Sequence, residues 1–170
     1  LKIIVEGPNG TGKSYFISKL LSNNKFKDFE VEHCSQYSPN NYKFHENLLK
    51  TSQNMIFDRF YIGETIYPYL HNRKAQIKER DCFELFEKFK DTYIVFIDAD
   101  YSFICKNLKD RHEEIDIDFI DFEKMCFFEM YKNFNTIDSK RVFRIKNHLK
   151  GPYYLENTVE KVIKDLEKYV

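Results

Sequence analysis

The residues best suited to chemistry stand together near the start of the chain. Gly7-Pro8-Asn9-Gly10-Thr11-Gly12-Lys13-Ser14 is a complete G-x-x-x-x-G-K-[ST] loop. Its glycines let the backbone wrap a phosphate chain with N–H groups pointing inward. The apolar, β-branched run from Leu1 to Glu6 precedes it, and Ser14 to Leu21 reads as a helix whose N-terminal dipole faces the same anion. Lys13 would then reach the β- and γ-phosphates, and the Ser14 hydroxyl would ligate Mg2+. The expected nucleotide-binding residues are Gly7, Asn9, Gly10, Thr11, Gly12, Lys13 and Ser14, with Tyr15 opening the helix. What receives the phosphate is the question this loop leaves open.

A second group lies at residues 55–68, Met-Ile-Phe-Asp-Arg-Phe-Tyr-Ile-Gly-Glu-Thr-Ile-Tyr-Pro. A carboxylate, Asp58, closes a short apolar run and Arg59 follows at once. Beside a phosphate loop, Asp58 can order the water shell of the metal held by Ser14. Arg59 offers a fork of donors that can clamp oxygens of donor and acceptor together.

The elements that must position these groups alternate. Strands are expected at 1–6, 29–34, 55–58, 92–98 and 141–146. Helices are expected at 14–22, from an Asn41 cap to about 50, at 60–71, 76–90 and 102–109, from an Asp118 cap to about 133, and at 156–169. Short apolar strands separated by helices imply an α/β fold with a parallel sheet covered on both faces. Ligands in such sheets bind beyond the carboxyl ends of the strands, here after Glu6, Cys34, Phe57, Ile97 and Lys146.

One hundred and seventy residues without repeat or linker suit a single domain, 1–170. Lys+Arg and Asp+Glu both number 27, which argues against a dominant basic face for nucleic acid. Cys34, Cys82, Cys105 and Cys126 form no C-x-x-C pair and are expected to be reduced thiols of a cytoplasmic compartment. No stretch is apolar enough for a membrane span, so no membrane partner is expected. No signal peptide is visible, because the first residues already read as strand. The chain starts without Met, which points to trimming or to residues outside it.

The paired motifs resemble the thymidylate kinase family of nucleoside monophosphate kinases. The resemblance rests on Glu6-Gly7-x-x-Gly10-x-Gly12-Lys13-Ser14 and on Asp58-Arg59-Phe60 followed by Tyr67. The wording around Asp58 is most similar to small bacteriophage members, which would place the protein in a host cytoplasm. The resemblance implies a three-layer P-loop kinase fold with sheet order 2-3-1-4-5, ATP and Mg2+ as donor, and a deoxynucleotide acceptor. It implies an arginine-bearing lid at about 106–118, with Arg111 as the candidate, helped by Lys106 or Lys109, for neutralising the transferring phosphoryl group. It seats adenine near Lys146 and Asn147. On the acceptor side it points to Tyr67, and Glu64 one turn earlier is a candidate for sugar or base. Arg73 could meet the acceptor phosphate, and Tyr37, Tyr42 or Phe44 could stack on a base. A homodimer is a further expectation. Two departures touch the acceptor side: Asn9 stands where the family usually carries Asp, and Cys34-Ser35-Gln36-Tyr37 replaces its Arg-Glu-Pro-like segment.

Three functions follow. The leading one is phosphoryl transfer from ATP·Mg2+ to a deoxynucleoside monophosphate, thymidylate by default, with Lys13, Asp58, Arg59 and Arg111 as catalytic residues. The second changes the acceptor to a nucleoside hydroxyl or a hydroxymethylated pyrimidine in DNA, with Glu32, Glu64 or Asp58 as base. The third is a P-loop nucleotide-binding module without catalysis.

Overall fold

The structure, a computed structural model, describes residues 1–35, 38–148 and 152–170, with the side chains of 152–157 outside the description. Five strands, β1 Lys2–Glu6, β2 Glu30–His33, β3 Met55–Asp58, β4 Thr92–Ala99 and β5 Val142–Asn147, pair throughout in parallel. Their order is β2-β3-β1-β4-β5, the 2-3-1-4-5 arrangement expected from the sequence. Seven helices connect and cover them: α1 Lys13–Leu21, α2 Tyr42–Leu49, α3 Gly63–Leu70, α4 Glu79–Lys88, α5 Tyr101–Asp110, α6 Ile117–Asp138 and α7 Pro152–Leu166. A 3-10 turn, Glu167–Tyr169, ends the chain.

Side chains alternate across the strands, and that alternation builds two cores. Ile4, Phe57, Ile94 and Phe96 face α2, α3, α4 and α6, where they meet Leu49, Ile66, Leu85, Phe86 and Phe134. Ile3, Val5, Ile56, Val95 and Ile97 face the other way, onto Phe16 and Leu20 of α1 and Val159, Ile163 and Leu166 of α7. Because β1 and β4 are buried on both faces, their sequences read as unbroken apolar runs. The central strand β1 lies between β3 and β4, so the loop after Glu6 and the turn after Asp58 emerge side by side.

Several boundaries differ from the sequence expectation. Asn41 caps α2 as expected, its side chain accepting from the Phe44 N–H at 3.0 Å. The long helix is capped by Asp116 rather than Asp118, because the Asp116 carboxylate reaches the Phe119 N–H at 3.0 Å, and it runs on to Asp138. The third helix begins at Gly63 rather than 60, after a turn at 61–62, and the Gly63 N–H, free at the helix start, donates to Glu6 at 3.2 Å. The fourth covers 79–88, opened by the Asp81 carboxylate accepting the Lys78 N–H at 2.9 Å and closed at Phe89 in extended backbone. The closing helix starts at 152 instead of 156 and tightens to a 3-10 turn from 167. Cys34 and Cys82 are buried, and all four cysteines are free thiols. No described helix is long and apolar enough to cross a membrane.

Gly7 fixes the height of the phosphate loop over the sheet. It has φ +145°, and a Cβ there would lie 2.0 Å from the Ile97 carbonyl oxygen of β4. That neighbour is strand backbone and cannot yield cheaply. Gly7→Ala is expected to cost at least about 2 kcal/mol of stability, read as a lower urea midpoint at an unchanged m-value.

Candidate active site

The loop from Gly7 to Ser14 is held by its carbonyl oxygens. Lys13 Nζ donates to the carbonyls of Gly7 and Pro8, each at 2.7 Å. The Thr11 hydroxyl donates to Pro8 O at 2.9 Å. Asn107 of α5 donates to Gly10 O at 2.7 Å, and Asn147 at the end of β5 donates to Thr11 O at 2.6 Å. With acceptors engaged from three elements, the loop is left with N–H groups to offer, which is what an anion requires. Gly10 (φ +76°) and Gly12 (φ +99°) adopt left-handed backbone that lets the loop curl, and Gly12 opens α1. Burial and the positive Arg59 nearby pull the Lys13 pKa down to about 8, a shift that a phosphate dianion would oppose.

Two clefts meet at this loop. One, of about 420 Å3, is lined by the loop from Asn9 to Tyr15 together with Asp58, Asn107, Asp110 and Arg111. The other, of about 280 Å3, runs between the end of β2 and α3 and includes Cys34, Glu64, Tyr67, His71 and Arg73. Asn9, His33 and Arg59 line both.

Arg59 stands at the junction in left-handed backbone, φ +66°, which is costly for a residue with a Cβ. Its surroundings hold it there. Its own N–H donates to Val5 O at 3.1 Å. Its guanidinium donates to the Asn9 side-chain oxygen and lies 5.0 Å from the Tyr67 ring centre. The next N–H, of Phe60, donates to the Glu6 carboxylate at 2.7 Å, and that of Gly63 joins it at 3.2 Å. Glu6 is fully buried, and burial raises its pKa to about 7 despite those two donors and the nearby Lys13 and Arg59. A second buried carboxylate, Glu123 of α6, accepts from the Asn9 N–H at 3.1 Å and from the Tyr67 hydroxyl at 2.6 Å. Burial first, and then Glu123, keep the Tyr67 hydroxyl protonated by raising its pKa well above the usual value.

The structure thus places Gly10, Thr11, Gly12, Lys13, Ser14, Tyr15, Asp58 and Arg111 around one cleft, and Glu64, Tyr67 and Arg73 around the other. Gly7 lies beneath the loop, against β4. Arg111, ending α5, pairs with Glu113 at 3.2 Å, and Lys106 with Asp110 at 3.0 Å. Asn147 is only 2% exposed, tied under the loop rather than open to a base. Phe44 packs on the core and meets His45 edge-on, away from both clefts. Tyr37 lies outside the described residues. Ser14 and Asp58 share a cleft wall, and the described residues hold no cluster of three His, Cys, Asp or Glu suited to a metal. That donor set fits Mg2+, which keeps several waters and takes phosphate oxygens for the rest.

Sequence reasoning gave no role to Glu123, Asn107 or the His33–Asp58 pair, whose closest atoms are 3.2 Å apart. Glu123 had a readable signal: it falls on the stripe of Ile120, Phe127 and Met130 that α6 buries. A carboxylate on an apolar stripe needs partners inside. The His33–Asp58 contact arises from the register of β2 on β3, which no local pattern announces.

No protein-family model and no curated protein matches the sequence. Solved structures do. YorR protein from Bacillus subtilis, in complex with phosphorylated GDP, superposes with a TM-score of 0.72 at 22% identity, covering 98% of this chain and 96% of that one. Deoxyadenosine kinase from M. mycoides, with dCMP and a flexible dCDP as products, gives 0.62 at 15% identity over 100% of both chains. The same enzyme with dCTP gives 0.62 over 99% and 100%. The fold is one that a deoxynucleoside kinase uses.

Glu6 supplies a pH test of this arrangement. Its folded pKa is raised, so the folded protein binds the extra proton between about pH 4.5 and 7. Stability from this group is therefore lost as pH rises through that window, by up to about 3 kcal/mol. Glu6→Gln keeps an acceptor for both N–H groups and removes the titration. Urea unfolding from pH 4.5 to 8 should show the wild type losing stability relative to the variant as pH rises. Parallel profiles would contradict the buried carboxylate.

Proposed function

We propose that this protein is a P-loop kinase that transfers the γ-phosphoryl group of ATP to a deoxynucleoside monophosphate. The observation that carries the reading is the shared wall: Asn9, His33 and Arg59 face both the phosphate loop and the second cleft. A group handed between two sites must cross such a wall, and a fixed guanidinium there suits the charge that develops on the transferring phosphoryl. The fold likeness to deoxyadenosine kinase supports phosphoryl transfer without distinguishing a monophosphate acceptor from a nucleoside hydroxyl.

In this reading the loop N–H groups and Lys13 bind the donor phosphates. Ser14 and Asp58 would hold Mg2+, which supplies charge neutralisation when bound. Arg59 aligns donor and acceptor oxygens, and Arg111 faces the donor from the end of α5. An acceptor phosphate is nucleophilic already, so no strong base is required. Thymidylate is the acceptor that the family resemblance implies.

A second reading, with a nucleoside hydroxyl as acceptor, draws on the His33–Asp58 pair at the junction, because a hydroxyl needs a base to take its proton.

Coupled ADP release with a panel of deoxynucleoside monophosphates, deoxynucleosides and hydroxymethyluracil-containing duplex DNA decides among these acceptors. Turnover should appear with at least one monophosphate. Arg59→Ala should lower kcat by about 10²–10³-fold, and Lys13→Ala should abolish turnover. Turnover with nucleosides alone would favour the hydroxyl reading. ATP binding without any turnover would leave a nucleotide-binding module.

A further inference from the structure

The second cleft carries a charge pattern that phosphoryl transfer does not use. Glu64, in the first turn of α3, is its one carboxylate among the described lining residues. It is 9% exposed and does not reach the phosphate-loop cleft. Arg73, which follows α3, also lines the cleft and attracts the Glu64 carboxylate, to which the Asn40 side chain hydrogen-bonds from outside the cleft lining. Burial raises the Glu64 pKa, and the attraction of Arg73 and then the Asn40 hydrogen bond oppose that shift.

A guanidinium and a carboxylate lining one cleft offer a ligand one donor face and two acceptor oxygens. Among the DNA bases, guanine matches this order, with O6 as acceptor followed by N1–H and the 2-amino group as donors. Thymine offers O4 and N3–H but then sets its O2 against a carboxylate oxygen. Cytosine and adenine set a ring-nitrogen lone pair against the carboxylate. A buried polar mismatch of this kind discriminates strongly.

We infer that the Glu64–Arg73 pair reads the base edge of the acceptor and that the acceptor is a guanine deoxynucleotide. This rests on the reading of the cleft as the acceptor site, and it departs from the thymidylate that the family resemblance implies. Arg73 thereby belongs with the base rather than with the acceptor phosphate.

The test measures coupled ADP release with dGMP, dAMP, dCMP and dTMP, each as sole acceptor, for the wild type and Glu64→Gln. The wild type should favour dGMP in kcat/KM by about tenfold or more. Glu64→Gln, which places a donor beside an acceptor, should erase that preference through the KM for dGMP while dTMP holds or improves. Thermal melting checks that the variant is folded. Should it not fold, the exposed Arg73→Gln carries the test, and it should narrow the gap between dGMP and dAMP. Equal or better turnover with dTMP in the wild type, or a uniform loss across all four acceptors in the variant, overturns the inference. If no monophosphate turns over, the kinase reading fails separately. Calorimetric titration of the same four nucleotides then decides the base reading: dGMP-selective binding lost in Glu64→Gln upholds it, and equal or absent binding overturns it.

Discussion

A carboxylate with no access to water sits at the end of the central strand, and the rest of the site is arranged around it. Glu6 closes β1 and accepts the N–H groups of Phe60 and Gly63. Those bonds tie the strand that launches the phosphate loop to the turn that presents Arg59 and to the start of α3. The phosphate-loop cleft, the junction and the second cleft are therefore spaced by one side chain. Desolvating that carboxylate is costly, and the two donors with the nearby Lys13 and Arg59 offset part of the cost. The protein accepts a titratable group in its core, and with it gains a rigid link between sites.

The same logic recurs one layer out. Glu123 joins the Asn9 N–H of the loop to the Tyr67 hydroxyl of α3 and so fastens α6 over both clefts. Asn107 and Asn147 hold loop carbonyls from α5 and β5. The flexible sequence Gly-Pro-Asn-Gly-Thr-Gly thus becomes a fixed cradle, because its acceptors are satisfied before any ligand arrives. Asn9 is part of this frame: its backbone N–H donates to Glu123 and its side-chain oxygen accepts from Arg59, so the residue type there sets how Arg59 is held.

Much was legible in the sequence. Unbroken apolar runs such as Ile3-Ile4-Val5 and Ile94-Val95-Phe96-Ile97 announced strands buried on both faces, and alternation with helices implied the parallel sheet. The strand order, however, came with the family resemblance, since periodicity says nothing of which strand lies beside which. The phosphate loop and Asp58-Arg59 could be read because their chemistry is local, packed into eight residues and two. Helix boundaries were less legible where a distant partner supports them: the N–H of Gly63, which opens α3, finds its acceptor in Glu6, fifty-seven positions earlier. Asp116 displaced Asp118 as the cap of α6 because only its side chain meets a free N–H.

By itself the sequence determined the phosphate-loop motif, since a glycine-rich turn ahead of Lys13 and Ser14 is a local pattern. It also determined the layered α/β class, through the burial pattern of each strand. Only the tertiary structure decided which side chains face which cleft. Asn147, a candidate for ligand contact by position, braces the loop, and Phe44 packs against the core, while Glu64 and Arg73, nine residues apart, line the same cleft. The physical reason is that such facings depend on strand register and helix packing between segments far apart in the chain, and those are set by the whole core rather than by any local run of residues.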